Sequence, residues 1–121
     1  MAPPLPDPRP RVTSSDAGPH LEGHRCTACS YPVAFPRPAC PACGDVLEPA
    51  LLGPQGRVWS FTTVHIPVPG REPPYRLAYV DLDDGPRVLA HVRGPESLAA
   101  GDRVRLLNPT DDGDVCVEVL R

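Results

Sequence analysis

The chain has 121 residues, including 19 prolines and five cysteines, and a formal net charge of -3 at pH 7. This length allows one small domain or two very small ones, and 40% hydrophobic residues suffice for one modest core. The negative charge argues against a protein built mainly to hold phosphate backbones. No apolar run approaches the length of a membrane-spanning helix, so a cytoplasmic protein without membrane contact is expected.

Residues 1–20 are expected to form a flexible, Pro-rich arm. Six of residues 1–19 are proline, and little apolar material lies between them. Proline lacks a backbone N–H and cannot take part in a packed helix or an inner strand. The ordered part of the chain is predicted to begin at Leu21.

Two C-x2-C pairs follow the arm. Cys26 and Cys29 form the first pair, Cys40 and Cys43 form the second, and ten residues separate them. Each pair can form a tight turn that directs both sulfurs at one point, so four thiolates enclose a tetrahedral metal ion. The pattern predicts a structural zinc ribbon over residues 21–49, whose folding depends on the metal. The same four thiolates also suit iron.

Two other uses of the cysteines fit less well. A thioredoxin-like redox centre needs its C-x-x-C at a helix N-terminus within a βαβ pattern, and the turns here are Pro-rich. A disulfide framework of an exported protein fits poorly with an odd number of cysteines, and residues 1–10 lack the apolar region of a signal peptide. The metal site is therefore preferred.

The residues around the pairs have predicted roles of their own. Because four cysteines complete the shell, His20 and His24 are expected to be surface residues. The charges of Arg25 and Arg37 can offset the net -2 of a zinc ion held by four thiolates. Ser30 follows the first pair, at the position where Gly44 follows the second. Three side chains between the pairs predict a short extended segment with one apolar side: Tyr31, Val33 and Phe35.

From residue 50 the sequence changes to β-prone segments separated by turn residues. Five strands are predicted, over residues 58–68, 76–82, 87–92, 103–107 and 115–120. Residues 94–100 are expected to form a helical turn at most. This is the order of elements in an OB-fold barrel, which we predict for residues 50–121. Another small β-barrel or sandwich fits the same pattern.

The order and spacing of these motifs resemble the acyl-CoA-associated zinc-ribbon/OB-fold family, known as domain of unknown function 35 (DUF35). The residues that carry the resemblance are Cys26-Thr27-Ala28-Cys29, Phe35-Pro36-Arg37-Pro38, Cys40-Pro41-Ala42-Cys43-Gly44, Gly56-Arg57-Val58, Phe61-Thr62-Thr63-Val64-His65, Pro74-Tyr75 and Val80-Asp81-Leu82-Asp83-Asp84-Gly85. The resemblance implies a mainly β chain: a rubredoxin-like zinc ribbon followed by a five-stranded OB-fold barrel. Members commonly carry a helical segment before the ribbon, which the prolines of residues 1–19 forbid here.

The resemblance also implies a function. Members of the family look like companions of thiolase-superfamily proteins, to which the chemistry is mainly assigned. A non-catalytic accessory subunit is therefore expected, which binds and stabilises a thiolase-fold acyl-CoA enzyme in a hetero-oligomer. It would help line the path of the acyl-CoA thioester. The specific expectation is a retro-aldolase or thiolase complex of steroid or similar side-chain degradation.

A search for catalytic groups assigns none. The sequence contains no G-x-S-x-G elbow, Gly-rich phosphate loop or H-E-x-x-H helix. His65 and His91 are candidate acid–base groups on predicted strands, although packed or surface histidines are commoner. Asp81, Asp83 and Asp84 resemble paired carboxylates, but aspartate is favoured in turns for local hydrogen bonding. No catalytic residue is predicted.

The alternative function is that of a single-stranded nucleic-acid-binding protein, because OB folds often stack bases on aromatic side chains. Four aromatic residues can form such a platform or can pack as core or docking surface: Trp59, Phe61, Tyr75 and Tyr79. Residues 50–121 carry eight arginines and ten acidic residues, a net charge of -2. Phosphate binding needs a clustered basic face, so nucleic acid is the less favoured partner. Cys116 is expected to pack as a small hydrophobe.

Overall fold

The computed structural model describes residues 9–120, which form nine strands and no helix. In chain order the strands are β1 (Val12–Ser15), β2 (Gly18–Cys26), β3 (Pro32–Val33), β4 (Leu47–Leu52), β5 (Gln55–Val64), β6 (Tyr75–Leu82), β7 (Arg87–Arg93), β8 (Arg103–Leu106) and β9 (Cys116–Val119). Within residues 9–120, the chain therefore offers no helix long and apolar enough to span a bilayer.

The first sheet is built around β2. Strand β4 pairs with Leu21–Cys26 along one edge of β2, while β1 and β3 pair with successive parts of the other edge. All three pairings are antiparallel. The two C-x2-C turns lie at the end of this sheet where Cys26 pairs with Leu47.

The arm expected over residues 1–20 is not what the structure shows for residues 12–20. Strand β1 and the beginning of β2 form a hairpin there, and Gly18 takes the positive φ of 93° that its turn requires. Residues 11–18 contain no proline, and Pro19 lies where β2 has a neighbour on one side only. Proline content over the whole segment therefore misled the prediction. Residues 1–8 lie outside the described part.

The second sheet is a closed barrel with the strand order β5-β6-β7-β9-β8, as predicted for an OB fold. Strands β7 and β9 are parallel, and the other neighbours are antiparallel. The first strand of the barrel differs from its predicted range of 58–68. It begins at Gln55, because Gln55–Arg57 pair with β8, and it ends at Val64, before the prolines at 67 and 69.

One hydrophobic core serves both sheets. Its barrel members are the inward residues of β5 to β9 and the residue before β9: Val58, Ala78, Val80, Leu82, Val88, Ala90, Val104, Leu106, Val115, Val117 and Val119. Leu21, Ala34 and Leu52 of the first sheet belong to the same cluster. Strand β4 also runs across the predicted boundary between residues 49 and 50. The division into 1–20, 21–49 and 50–121 stays a prediction.

Candidate functional site

The four predicted metal ligands come together at the far end of the first sheet. The sulfurs of Cys26, Cys29, Cys40 and Cys43 all lie within 4.8 Å of one another. Cys26 Sγ is 3.5 Å from Cys43 Sγ, and Cys29 Sγ is 3.6 Å from Cys40 Sγ. A zinc ion with four sulfurs at about 2.3 Å separates those sulfurs by about 3.8 Å. The cluster therefore has the size and donor set of a tetrahedral metal site.

Both turns close in the same way, although their sequences differ. The N–H of Ser30 donates to the carbonyl of Cys26 over 3.1 Å, and the N–H of Gly44 donates to the carbonyl of Cys40 over 2.8 Å. Ser30 has φ 65° and Gly44 has φ 81°. The left-handed conformation, which favours glycine, is thus adopted by serine in the first turn. The first turn therefore closes with serine at the position that glycine occupies in the second turn.

Crowding of the thiols shows why they suit a cation. The N–H of Cys29 donates to Cys26 Sγ and helps lower the pKa of Cys26 to about 7. The N–H of Asp45 lowers the pKa of Cys43, but the neighbouring thiols, above all those of Cys26 and Cys29, together with burial raise it by more, to about 12. Four thiolates this close repel each other unless a positive ion lies between them. The site fits a metal such as zinc.

The residues flanking the pairs differ in placement. Arg25 donates to the carbonyl of Ser30 over 3.1 Å, and its other terminal nitrogen is 3.8 Å from Asp84 in the barrel. Arg37 is exposed. His20 and His24, expected at the surface, are half-buried on β2, and His24 Nδ1 is buried without a hydrogen-bond partner among the described residues. His24 lies where β2 is paired on both edges, whereas His20 pairs with β1 alone.

The turn between β6 and β7 connects the two sheets. Asp84 Oδ1 accepts the N–H of Gly53 over 3.0 Å, next to the end of β4. A Cβ at Gly85 would lie 2.7 Å from Pro32 Cγ, so β3 packs closely against this turn. Asp84 and Gly85 thus act in the junction between sheets, and nothing in their surroundings points to paired catalytic carboxylates.

The other two aspartates of that segment form ion pairs. Asp81 accepts two hydrogen bonds from Arg87, at 2.6 and 3.1 Å. Asp83 accepts two from Arg103, both at 2.6 Å, and these hydrogen bonds lower the pKa of Asp83. Both carboxylates are therefore occupied by arginines at the barrel surface.

Cys116 is buried, and burial raises the pKa of its thiol.

His91 lies in a cluster that the sequence did not reveal. Asp114 accepts from Arg9 over 3.0 Å, is hydrogen-bonded to Arg71, and lies 3.5 Å from His91 Nε2. Burial lowers the pKa of His91, and the charge of Arg71 lowers it further. Burial raises the pKa of Asp114, but the Arg9 hydrogen bond and the Arg71 charge lower it by more. At neutral pH the pair is an ionised carboxylate beside a neutral imidazole.

This cluster forms the polar end of a cleft of about 330 Å³. The apolar wall of the cleft comes from β6, β7 and the residue before β9: Tyr75, Leu77, Leu89, Ala90 and Val115. Tyr75 stacks at a tilt on His91, with 5.9 Å between ring centroids. His65, the other histidine candidate, lies just after β5 and is exposed.

Three aromatic residues of the barrel, Trp59, Phe61 and Tyr79, are exposed, and two of them, Phe61 and Tyr79, border a second cavity. We call this cavity of about 310 Å³ the aromatic groove; it is lined by Ser60, Phe61, Thr62, Leu77, Tyr79 and Leu89. Trp59 meets Tyr79 edge-on, with ring centroids 6.1 Å apart. The Arg87 guanidinium lies 3.8 Å from the centroid of the Trp59 ring while bound to Asp81. Trp59 and Tyr79 therefore meet as predicted for a platform, but Tyr75 lies apart, half-buried against His91 in the first cleft. The cation over Trp59 is already paired.

The sequence contained a signal for the groove that the prediction did not use. In the segment 88–92 the alternation of buried Val88 and Ala90 places Leu89 on the outer face, as an apolar side chain turned to solvent. Asp114 and Arg71 carry no comparable signal, because they lie in two loops that meet only in the folded barrel.

Comparisons with known proteins agree with this architecture. Residues 50–108 match the family described as "ChsH2, C-terminal OB-fold domain". The chain is 35% identical over 91 residues to the benzoylsuccinyl-CoA thiolase subunit BbsA of Thauera aromatica. That match covers 73% of this chain and 62% of BbsA, so the chain spans less than two thirds of that relative.

Two further relatives match over most of their own length. A DUF35 domain-containing scaffold protein of Methanothermobacter thermautotrophicus is 32% identical over 95 residues, which cover 73% of this chain and 71% of that protein. The solved structure of the Ltp2-ChsH2(DUF35) aldolase is similar with a TM-score of 0.70 and 28% identity, over 83% of this chain and 84% of that chain. Ribbon cysteines, closed barrel and these matches together show that the chain belongs to the DUF35 family.

Proposed function

We propose that this chain is a non-catalytic accessory subunit that binds and stabilises a thiolase-fold acyl-CoA enzyme in a hetero-oligomer. The observation that carries the proposal is the similarity to BbsA, which is named a thiolase subunit. The similarity to the Ltp2-ChsH2(DUF35) aldolase, over 83% of this chain, supports the same role. In both names the DUF35-type protein belongs to a larger CoA-related or aldolase assembly.

The geometry of the barrel supports an accessory role over an independent enzyme. Three of the acid–base candidates are engaged elsewhere: Asp81 with Arg87, Asp83 with Arg103, and His91 with Tyr75 and Asp114. Asp84 acts in the junction between the sheets, and His65 is exposed just after β5. The aromatic groove, in contrast, exposes a large apolar area. Exposed clusters of aromatic and aliphatic side chains are typical of protein interfaces.

One zinc ion at Cys26, Cys29, Cys40 and Cys43 is part of the proposal. A closed shell of four thiolates leaves no position for substrate, so this zinc would be structural. It would hold the two turns together and keep the first sheet in place against the barrel. Metal analysis of the purified chain should find about one zinc per chain, and about one iron would replace that assignment.

We further propose that the chain helps line the path of the acyl-CoA thioester in the complex. A cleft that combines an apolar wall with the charges of Arg9, Arg71 and Asp114 suits a ligand with both apolar and charged parts. The specific assignment is a retro-aldolase or thiolase complex of steroid or similar side-chain degradation. Assay of the complex for retro-aldol cleavage and for thiolysis of acyl-CoA substrates would decide between the two reactions.

Co-expression tests the accessory role. The chain is expressed with a thiolase-superfamily protein encoded in the same operon, and the mixture is analysed by size exclusion with light scattering. We expect one stable hetero-oligomer, and we expect the enzyme alone to lose activity or stability. If the two proteins elute separately and the enzyme is fully active alone, the proposal is wrong.

Two controls separate this role from its alternatives. His91→Gln in the complex should lower turnover by far less than the factor of about a hundred or more that loss of a true general acid or base costs, because His91 only lines the cleft. Retention of the isolated chain on single-stranded DNA at moderate salt, without any complex, would instead indicate the nucleic-acid function.

A further inference from the structure

The outer edge of β5 is open over its second half. Gln55–Arg57 pair with β8 on one side, and Gly56 and Arg57 also pair with β6 on the other. After a bulge between Val58 and Ser60, only β6 continues the pairing, as far as Val64. Among residues 9–120, the last backbone hydrogen bonds on the open side join Val58 to Gly101 and Asp102. Residues 60–64 therefore present unpaired backbone groups at a sheet edge.

This edge lacks the features that usually protect an exposed strand. Its sequence, Ser-Phe-Thr-Thr-Val, is rich in β-branched residues and contains neither proline nor charge. Edges that must stay unpaired commonly carry lysine, proline or an inward charge. The bulge lies at the beginning of the open segment and leaves the five residues after it in regular register with β6. The edge is thus suited to receive another strand.

The aromatic groove lies beside the open edge. Tyr79 and Leu89 are 46% and 48% exposed on the outer face of the sheet. Phe61 is 42% exposed but pairs with buried Ala78, so its side chain projects from the other face of β5 at the open edge. Ser60 pairs with Tyr79, and Tyr79 pairs with Leu89, so the groove follows a row across three strands. Trp59 adds a third exposed aromatic ring at 52%. A strand added to β5 would place alternate side chains over this surface.

The charges around the groove favour a protein as the occupant. No charged side chain lines the groove itself. Arg87 makes two hydrogen bonds to Asp81 and lies over Trp59. Arg71, in the cleft that shares Leu77 and Leu89 with the groove, is bound to Asp114. Single-stranded nucleic acid requires cations that are available to its phosphates beside the stacking rings. An extended peptide instead requires open backbone groups and apolar pockets, and both are present here.

We propose that the edge of β5 at residues 60–64, with the aromatic groove, binds an extended segment of the partner protein as an added β-strand. The added segment would be about five residues long, or about 17 Å, with apolar side chains at alternate positions. Its backbone would bond to the open groups of β5. Side chains on one face of the added strand would lie over Ser60 and Thr62 in the aromatic groove, which Tyr79 and Leu89 border, and a side chain on its other face would contact Phe61. This inference rests on the proposed accessory function and names the surface that performs it.

The test uses the complex of the full chain with the co-expressed thiolase-superfamily protein. Phe61→Glu and Leu89→Glu should each weaken the complex by about tenfold or more, as expected for central interface residues. Leu51→Glu is the matched control, because Leu51 is an equally exposed leucine (54%) on β4, away from the groove. Circular dichroism and zinc content of each variant report whether it folds.

Hydrogen exchange distinguishes strand addition from simple surface contact. In the complex, part of the amides of residues 60–64 should exchange at least about tenfold more slowly, because outward N–H groups gain partners. Trp59, the only tryptophan, should change its fluorescence on binding. Unchanged exchange at residues 60–64, or equal affinity of all three variants, would overturn the inference while leaving the accessory function standing.

Other outcomes identify other occupants and also overturn the inference. Self-association of the isolated chain that Phe61→Glu abolishes would assign the edge to a second copy. Binding of single-stranded DNA that the same variant abolishes would assign it to nucleic acid. If the wild-type chain forms no complex with the enzyme at all, the proposed function fails and this inference fails with it.

Discussion

The two sheets are stabilised by different means, although both are small and antiparallel in most pairings. The barrel buries a continuous set of valine, leucine and alanine side chains. The first sheet buries only four apolar side chains besides its two buried cysteines: Leu21, Val33, Ala34 and Leu52. Leu21 and Leu52 lie at the end that joins the barrel, and the four thiols close the other end. A metal ion held by these thiols would replace a core where the chain is too short to build one.

Removing the metal should have the largest effect on stability. It should unfold the cysteine turns of the first sheet and leave the barrel folded. Cys40→Ser, or a strong chelator, is expected to unfold residues 26–46, because metal binding contributes on the order of 10 kcal/mol to such sites. Hydrogen exchange should increase there and remain slow in β6 to β9. Cys116→Ala, at the buried barrel cysteine, should keep the metal. Faster hydrogen exchange throughout the barrel would show that the two sheets are not stabilised by different means.

Weakening the shared core should affect both sheets at once. Leu52→Ala removes a fully buried side chain at the junction and should lower the free energy of unfolding by about 3 kcal/mol, since it leaves a cavity. Its exposed neighbour on β4, Leu51, provides the matched control: Leu51→Ala should change stability by less than about 0.5 kcal/mol. Urea unfolding of the zinc-bound chain measures both. Equal effects would show that the junction is not packed as described.

The next expected effect concerns the charge of Asp114 at the polar end of the cleft. Asp114→Asn should lower stability at pH 7 by about 2 kcal/mol, because hydrogen bonds from Arg9 and Arg71 lose their charged acceptor. The folded pKa of Asp114 is lowered, so this stabilisation is present above its unfolded pKa of about 4 and is lost as pH falls through the folded pKa. The wild-type and variant stabilities should therefore converge in acid.

Asp112→Asn is the control for that measurement. Asp112 lies 3.3 Å from Arg71 with a side chain 64% exposed, against 28% for Asp114. An exposed ion pair contributes less than about 1 kcal/mol, so this variant should be nearly neutral. A larger loss for Asp112→Asn than for Asp114→Asn would show that the cluster is not centred on Asp114.

The smallest expected effect concerns the residue that closes each C-x2-C turn. Ser30→Gly should stabilise the zinc-bound chain by about 0.5–1 kcal/mol, because glycine adopts positive φ without the strain that serine has there. Gly44→Ala in the other turn should destabilise it by a similar amount. Thermal unfolding with saturating zinc measures both. A destabilising Ser30→Gly would mean that the serine side chain has a role beyond the backbone.

The metal site and the barrel were open to prediction because their signals are local. The spacing of Cys26, Cys29, Cys40 and Cys43 specifies two turns, and alternation with turn residues specifies the strands. The hairpin over residues 12–20 was missed, since it is stabilised by pairing with β4 and by packing of Leu21 in the shared core. Proline counts over the segment carry no information about that pairing.

The sequence by itself determined the donor set, the number of barrel strands and the absence of a local catalytic motif, because each depends on residue type and short spacing. Only the tertiary structure decided that Asp114, Arg71 and His91 meet, that Asp84 joins the two sheets, and that the second half of β5 is left open. These features depend on contacts between residues far apart in the chain. Such contacts exist only after the barrel closes, which is why no local pattern reports them.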